Sequence, residues 1–248
     1  MKNLSLEITI PVLNEEKRLE TGLSKTIEFL NKNNISDYRI VIADNGSTDK
    51  TETIAGLLEK KYPQVHFIKV GQKGVGLALK KSWNNSNADI IGYMDVDLAT
   101  DLNHLIDMLN AMQNSEINVV NGSRILRDSN VKNRSALREV TSRGFNFILK
   151  IILNVNFSDG MCGFKFIKRD AYNRLMKAGL DNNDWFFCSE MLIKAEWLGL
   201  KIFEIPVRWN DDGDSRVDIS KTIYKYIKEI IKLRFGKKLW IKKTTSIS

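Results

Sequence analysis

The sequence predicts an α/β fold built on a mostly parallel sheet, and three observations carry that prediction. Short apolar, β-rich runs alternate with helix-like segments through the first half of the chain, the pattern of βα units joined by right-handed crossovers. Those runs are rich in the β-branched and apolar residues of buried strands. Acidic and amide residues gather where the runs end, and open parallel sheets bind ligands at the carboxyl ends of their strands. With 248 residues, 43% of them apolar, the chain has enough material for a sizeable core.

LEITIPV (6–12) is the first strand. Leu19, Leu23, Ile27 and Leu30 recur at helical spacing behind it. RIVIAD (39–44) is the second strand, and the helix from about Thr51 to Lys61 stops ahead of Pro63. VHFIKV (65–70) leads to a helix over 75–84, IIGYMD (90–95) to a helix over 101–113, and VVNGSR (119–124) ends the series. The second half is less regular. It predicts an apolar helix over 145–153, a strand over 163–169 and a helix from Asp170. A helix over 185–199 ends at Gly199, and one strand spans 201–209. One domain, residues 1–218, with a basic helical extension, 219–248, is the organisation expected.

Charge is concentrated in that extension. Nine Lys and Arg stand against Glu229 in residues 219–248, which equals the +8 of the whole chain and leaves residues 1–218 neutral. Such a segment suits an anionic membrane, an acidic partner or nucleic acid. Two cysteines, Cys162 and Cys188, without a CxxC pair suggest a reducing, cytosolic compartment. No apolar run predicts a signal peptide or a spanning helix.

Three strand ends are polar: PVLNEE, ADNGSTD and MDVDLATD. Asn, Asp, Ser and Gly also favour turns and caps, and Asp101 is expected to cap the next helix. Acids on three neighbouring strand ends point instead to a site. Asp95-Val96-Asp97 suits a cation bound to diphosphate, because carboxylates are hard oxygen ligands for Mg²⁺ or Mn²⁺. Gly74-x-Gly76 before a helix resembles a dinucleotide loop, but it follows the third strand and Leu79 stands where the third glycine belongs. DVDLAT resembles the loop of haloacid-dehalogenase-like phosphotransferases, but Ala99 replaces their Thr or Val.

Together these segments resemble family 2 glycosyltransferases of the GT-A fold, over roughly residues 6–240. The likeness is to polyprenyl-phosphate sugar transferases, dolichyl-phosphate glucosyltransferases first and mannosyltransferases second. It is carried by IPVLNEEKRL, VIADNGSTDKT, GVGLALKKS, MDVDLAT, NGSR, DGMCGFKFIKRDA and WFFCSEMLIKAEWLGLKIFEIPVRW followed by GDSR. The resemblance implies a Rossmann-like sheet and places Pro11, Leu13, Glu15, Ile42 and Asp44 on the nucleoside. It implies Asp95, Val96 and Asp97 at ribose, metal and diphosphate, with Asp95 and Asp97 the ligands of Mg²⁺ or Mn²⁺. Arg124 and Arg216 match basic positions facing phosphate or sugar, where a guanidinium forks onto oxygens. Ala99 matches the glucosyltransferase pattern, whereas Asn45, Ser82 and Cys188 depart from frequent family residues.

The implied reaction inverts the anomeric carbon and moves a hexose from UDP-glucose or GDP-mannose to a polyprenyl phosphate. A hydroxyl acceptor on a glycan is the alternative. Asp159 and Glu190 are the candidate bases, or else hold Lys165 or Arg216 in ion pairs. A lipid phosphate needs no base, since its second pKa is about 6. Lys165 is either a phosphate ligand or a solvated strand residue. Ile219, Ile223, Ile227 and Ile230 share one helical side and Lys221, Lys225, Lys228 and Lys232 the other. That pattern suits a helix on the cytoplasmic face of a membrane or one packed on the core. The 145–153 helix poses the same choice. A nucleic-acid-binding module would leave the strand-end acids unexplained, and no nucleic-acid partner is expected.

Overall fold

The structure, a computed structural model, describes residues 4–210 and 219–245. The first half runs β1 (Leu6–Val12), α1 (Leu19–Lys32), β2 (Tyr38–Asp44), α2 (Thr51–Lys61), β3 (Val65–Lys69), α3 (Val75–Asn84), β4 (Ile90–Met94), α4 (His104–Met112) and β5 (Ile117–Ser123). The second runs β6 (Asn130–Lys132), α5 (Ala136–Leu153), β7 (Phe164–Lys168), α6 (Arg169–Lys177), α7 (Phe187–Trp197), β8 (Lys201–Pro206), β9 (Arg208–Asn210) and α8 (Ile219–Thr245).

The main sheet has seven strands in the order β3-β2-β1-β4-β7-β5-β8, and β6 pairs with β9 in a separate ribbon. β7 is antiparallel to both its neighbours, β4 and β5; the other strand pairs are parallel. The strand expected over 201–209 is two short ones, because the chain changes partner at Val207, whose N–H donates to the Ser123 carbonyl of β5 while its own carbonyl accepts the Asn130 N–H of β6. α5 begins earlier than its apolar run, where Ser135 accepts the Arg138 N–H as an N-cap.

Alternation along the strands sorts the core into two layers. Ile8, Ile10 and Ile42 meet Leu23, Ile27 and Leu58 on one face. Ile91, Tyr93 and Ile167 meet Trp83, Phe187 and Leu192 on the other. Some polar groups on that second face tie a helix to the sheet. Ser82 Oγ donates to Glu7 Oε1 at 2.8 Å and Trp83 Nε1 to Thr9 Oγ1 at 3.1 Å, so Ser82 docks α3 on β1.

The sheet parts where a ligand would enter. Pairing of β1 with β4 ends at Thr9–Tyr93, whereas pairing with β2 continues to Val12–Asp44. The Val12 carbonyl accepts Asn45 N–H toward β2. Pro11 therefore faces the other side, where the ladder has already ended and its missing N–H costs nothing. This divergence is the switch point of the fold.

α8 is built into the body through Tyr226, Ile230 and Leu233. Tyr226 meets Phe145 and Phe186 at ring-centroid distances of 5.2 and 5.3 Å. Ile230 thus faces the core, whereas Ile227 is exposed.

Candidate active site

The first wall of the cleft is the pair of loops after β1 and β2, which are sewn together. Asn14, in left-handed backbone at φ 57°, accepts the Thr48 N–H at 2.7 Å, and its own N–H donates to Ser47 Oγ at 2.9 Å. Glu15 N–H donates to Thr51 Oγ1 at 2.8 Å. Asp44 is completely buried, and its Oδ1 accepts from Ser47 N and Oγ. Its Oδ2, and Asn45 Oδ1 beside it, are buried without a partner among the described residues. Each orphaned acceptor costs about 1–3 kcal/mol, a cost that a ligand bearing N–H donors would remove. Pro11 and Leu13 are partly exposed at the same end, while Ile42 lies wholly within the first core layer.

The second wall is the acidic turn after β4. Asp95 is partly buried, Val96 buried and Asp97 exposed. Leu98 turns the chain in left-handed backbone at φ 54°, a conformation costing roughly 1–2 kcal/mol for a residue with a side chain. Ala99 N–H donates to Asp97 Oδ1 at 2.9 Å and holds the turn. Burial, and then the Asp97 carboxylate, push the Asp95 carboxyl up to about 7, against the pull of Arg124 and Lys165. A divalent cation would relieve that repulsion, and oxygen ligands suit Mg²⁺ or Mn²⁺. No group of three or more His, Cys, Asp or Glu among the described residues forms a cage. Two carboxylates leave the rest of a cation's shell to phosphate and water, as is usual for Mg²⁺. Asp101 accepts the Asn103 N–H ahead of α4 and pairs with Arg208 Nε at 2.8 Å.

The third wall is a buried ion pair. Arg124, at the end of β5, forks onto Asp159 through Nε–Oδ2 at 2.8 Å and Nη2–Oδ1 at 3.0 Å. Burial alone would raise the Asp159 carboxyl, but the Arg124 and Lys165 charges and the Met161 N–H hold it well below the usual range. Lys165 lies on β7 between β4 and β5 and is completely buried, its Nζ donating to the Cys162 carbonyl. It is not a solvated strand residue. Glu190 points elsewhere: its oxygens take Lys194 Nζ at 2.5 Å and Asn182 N–H at 2.9 Å, tying α7 to the 179–182 segment. Arg216 lies outside the described residues.

The structure thus gathers Asp95, Asp97, Arg124, Lys165 and Asp159 into one charge cluster, with Glu15 and Asp44 on the adjoining wall. Two participants were not singled out from the sequence. The Trp209 ring carries the guanidinium groups of Arg124 and Arg134, 5.4 and 5.8 Å from its centre. Asn146 Oδ1 on α5 accepts the Gly160 N–H at 2.8 Å, beside Asp159.

A family model described as Glycosyl transferase family 2 matches residues 7–176. Glycosyltransferase AglD of Haloferax volcanii is 31% identical over 89% of the chain, which spans only 35% of that protein. Dolichyl-phosphate beta-glucosyltransferase of Dictyostelium discoideum is 31% identical over 98% of the chain and 78% of its own length. Among solved structures, glucosyl-3-phosphoglycerate synthase from Mycobacterium tuberculosis in complex with uridine diphosphate superposes with a TM-score of 0.68. It is 19% identical, covering 94% of this chain and 80% of its own. That likeness is one of fold, and the central sheet flanked by helices is the GT-A-type architecture the sequence led us to expect.

Proposed function

The chain belongs to glycosyl transferase family 2 and is a hexosyltransferase, and from that premise we propose that it moves glucose from UDP-glucose to a polyprenyl phosphate. The observation that carries the reading is an acidic turn after β4 and orphaned buried acceptors at the end of β2, on the two strands that flank β1. One wall meets a base, the other a diphosphate. Similarity to dolichyl-phosphate beta-glucosyltransferases and the alanine at position 99 favour glucose. In this reading the domain is residues 1–218, with 219–248 as its extension.

Pro11, Leu13, Glu15 and Asp44 seat the nucleoside, with Ile42 backing them from the core. Asp97, with Asp95 and the Val96 backbone, faces the diphosphate. Mg²⁺ or Mn²⁺ bound by Asp95 and Asp97 would offset the negative charge that grows on the leaving group. Arg124 presents its guanidinium edge toward phosphate, with Arg216 as its counterpart from the 211–218 segment. The new bond joins an acceptor phosphate oxygen to the anomeric carbon as the bond to the diphosphate breaks, with inversion. The acceptor is largely dianionic at neutral pH and needs no proton removed. That frees Asp159 and Glu190 from acting as bases. Asp159 fixes Arg124, and Glu190 fixes the segment beside α3.

The acceptor reading also rests on one surface. α5 exposes Leu137, Val140, Phe147 and Ile151, and α8 exposes Tyr224, Ile227, Ile231 and Phe235. Arg143, Lys150, Lys225, Lys228 and Lys232 are exposed along the same two helices. An apolar face with a basic fringe suits the cytoplasmic surface of an anionic membrane. No described helix is long and apolar enough to cross one.

The test supplies UDP-[¹⁴C]glucose or GDP-[¹⁴C]mannose with polyprenyl phosphate and Mn²⁺. Label from the uridine donor entering an organic extract supports the proposal. Label only in water-soluble glycan favours the alternative hydroxyl acceptor. Phe147→Glu with Ile151→Glu should cut sedimentation with phosphatidylglycerol vesicles while leaving turnover of detergent-dispersed acceptor intact.

A further inference from the structure

Two glycines approach the acidic turn from opposite sides, and neither is required by its backbone. Gly22 lies in the first turns of α1 and Gly163 immediately before β7. Both are buried, and neither is among the residues with positive φ. Any residue could adopt their backbone conformation, and alanine is the better helix former at position 22. What forbids a side chain is distance. A Cβ on Gly22 would stand 2.2 Å from the Val96 carbonyl oxygen, and one on Gly163 would stand 1.8 Å from Asp95 Oδ2 and 2.5 Å from its Cγ. The first contact is on the peptide between Val96 and Asp97. The second is on the Asp95 carboxyl group itself.

We infer that Gly22 and Gly163 are positioning residues whose bare Cα atoms set how deep and at what angle the Asp95–Asp97 carboxylate pair is held toward a divalent cation. The inference rests on the reading of that pair as a cation and diphosphate site. A methyl group at position 163 must displace the Asp95 carboxyl by more than an ångström to reach ordinary contact. One at position 22 must push the Val96–Asp97 peptide outward. Either shift separates two oxygen ligands that have to converge on one small ion, and Mg²⁺ tolerates little departure from octahedral geometry. Gly56 on α2 is the internal comparison, since a Cβ there meets nothing within 4 Å.

The experiment measures Mn²⁺ binding by the loss of the free-ion electron paramagnetic resonance signal, with UDP present. Nucleotide binding without metal and circular dichroism melting are followed in parallel. Gly22→Ala and Gly163→Ala are each expected to weaken Mn²⁺ binding at least tenfold. Metal-free UDP binding should change less than twofold, and the native spectrum should be kept. Gly56→Ala should match the parent. Mn²⁺ affinities equal to the parent's in both variants would overturn the inference. So would loss of the native spectrum, because that makes the two positions folding requirements. A parent that binds no Mn²⁺ with UDP removes the donor-site reading itself, and the inference falls with it.

Discussion

Replacing Asp159 by Asn tests whether the ion pair with Arg124 holds the acceptor half of the cleft together. The substitution keeps shape and removes charge. Asp159 is completely buried, and only a tenth of the Arg124 side chain is exposed. Arg124 would be left buried with no opposite charge forked onto it. Breaking a buried pair on one side costs about 3–5 kcal/mol. For a chain of this size that lowers the melting temperature by roughly 6–20 °C. The sign with pH follows from the depressed Asp159 carboxyl. Its contribution is complete above the unfolded value of about 4 and is lost as pH falls through the lower folded value. The difference between parent and variant should therefore shrink on acidification from pH 7 to pH 3. A second substitution, Arg124→Met with Asp159→Leu, should recover most of the stability and none of the transfer activity. The assay is calorimetry beside organic-phase transfer. A single variant melting within about 2 °C of the parent at pH 7, or a double variant no more stable than the single, would refute the reasoning.

Asp97→Asn should lower transfer by about 100-fold or more, the scale of losing one preorganised electrostatic partner, while the exposed position leaves the melting temperature nearly unchanged; calorimetry and transfer rates check both. Trp209→Leu should raise the acceptor KM more than it lowers kcat, because two guanidinium–ring contacts of about 0.5–2 kcal/mol each keep Arg124 and Arg134 in register. Burial pushes the Cys162 and Cys188 thiols up to about 11, so at pH 8 only about a thousandth of either is thiolate. Ellman's reagent should find no thiol in the folded protein and two in guanidinium chloride.

Local patterns made the donor half legible. Residues 6–113 show period-two or continuous apolar runs, helix stops and acidic strand ends, and each became the element expected. The acceptor half depends on partners far apart in sequence. GFKF reads as a strand, but nothing in it says that β7 runs against β4 and β5, which is what buries Lys165 between them. Asp159 and Glu190 looked alike as acids near the cleft. Their difference lies in neighbours: Arg124 for one, 35 positions away, and Lys194 for the other. The isoleucine stripe of the tail divides because α8 turns Tyr226, Ile230 and Leu233 inward and leaves Ile227 outside. Gly22 and Gly163 gave no signal, since a glycine needed for clearance is written like one needed for a turn.

The placement of β7 has a consequence for how the chain is made. Strands β4 and β5 leave the ribosome early, yet they do not touch; the strand that joins them comes about forty residues after β5 ends. Until residue 168 is available, the nascent chain holds two apolar strands with open inner edges, the kind of surface on which chains pair with one another. A truncated fragment ending before Phe164 should therefore collect as aggregate. The two halves of the sheet join when the strand carrying Lys165 slots between β4 and β5 and brings the charged end of the cleft into being, and β8 then covers the far edge of β5.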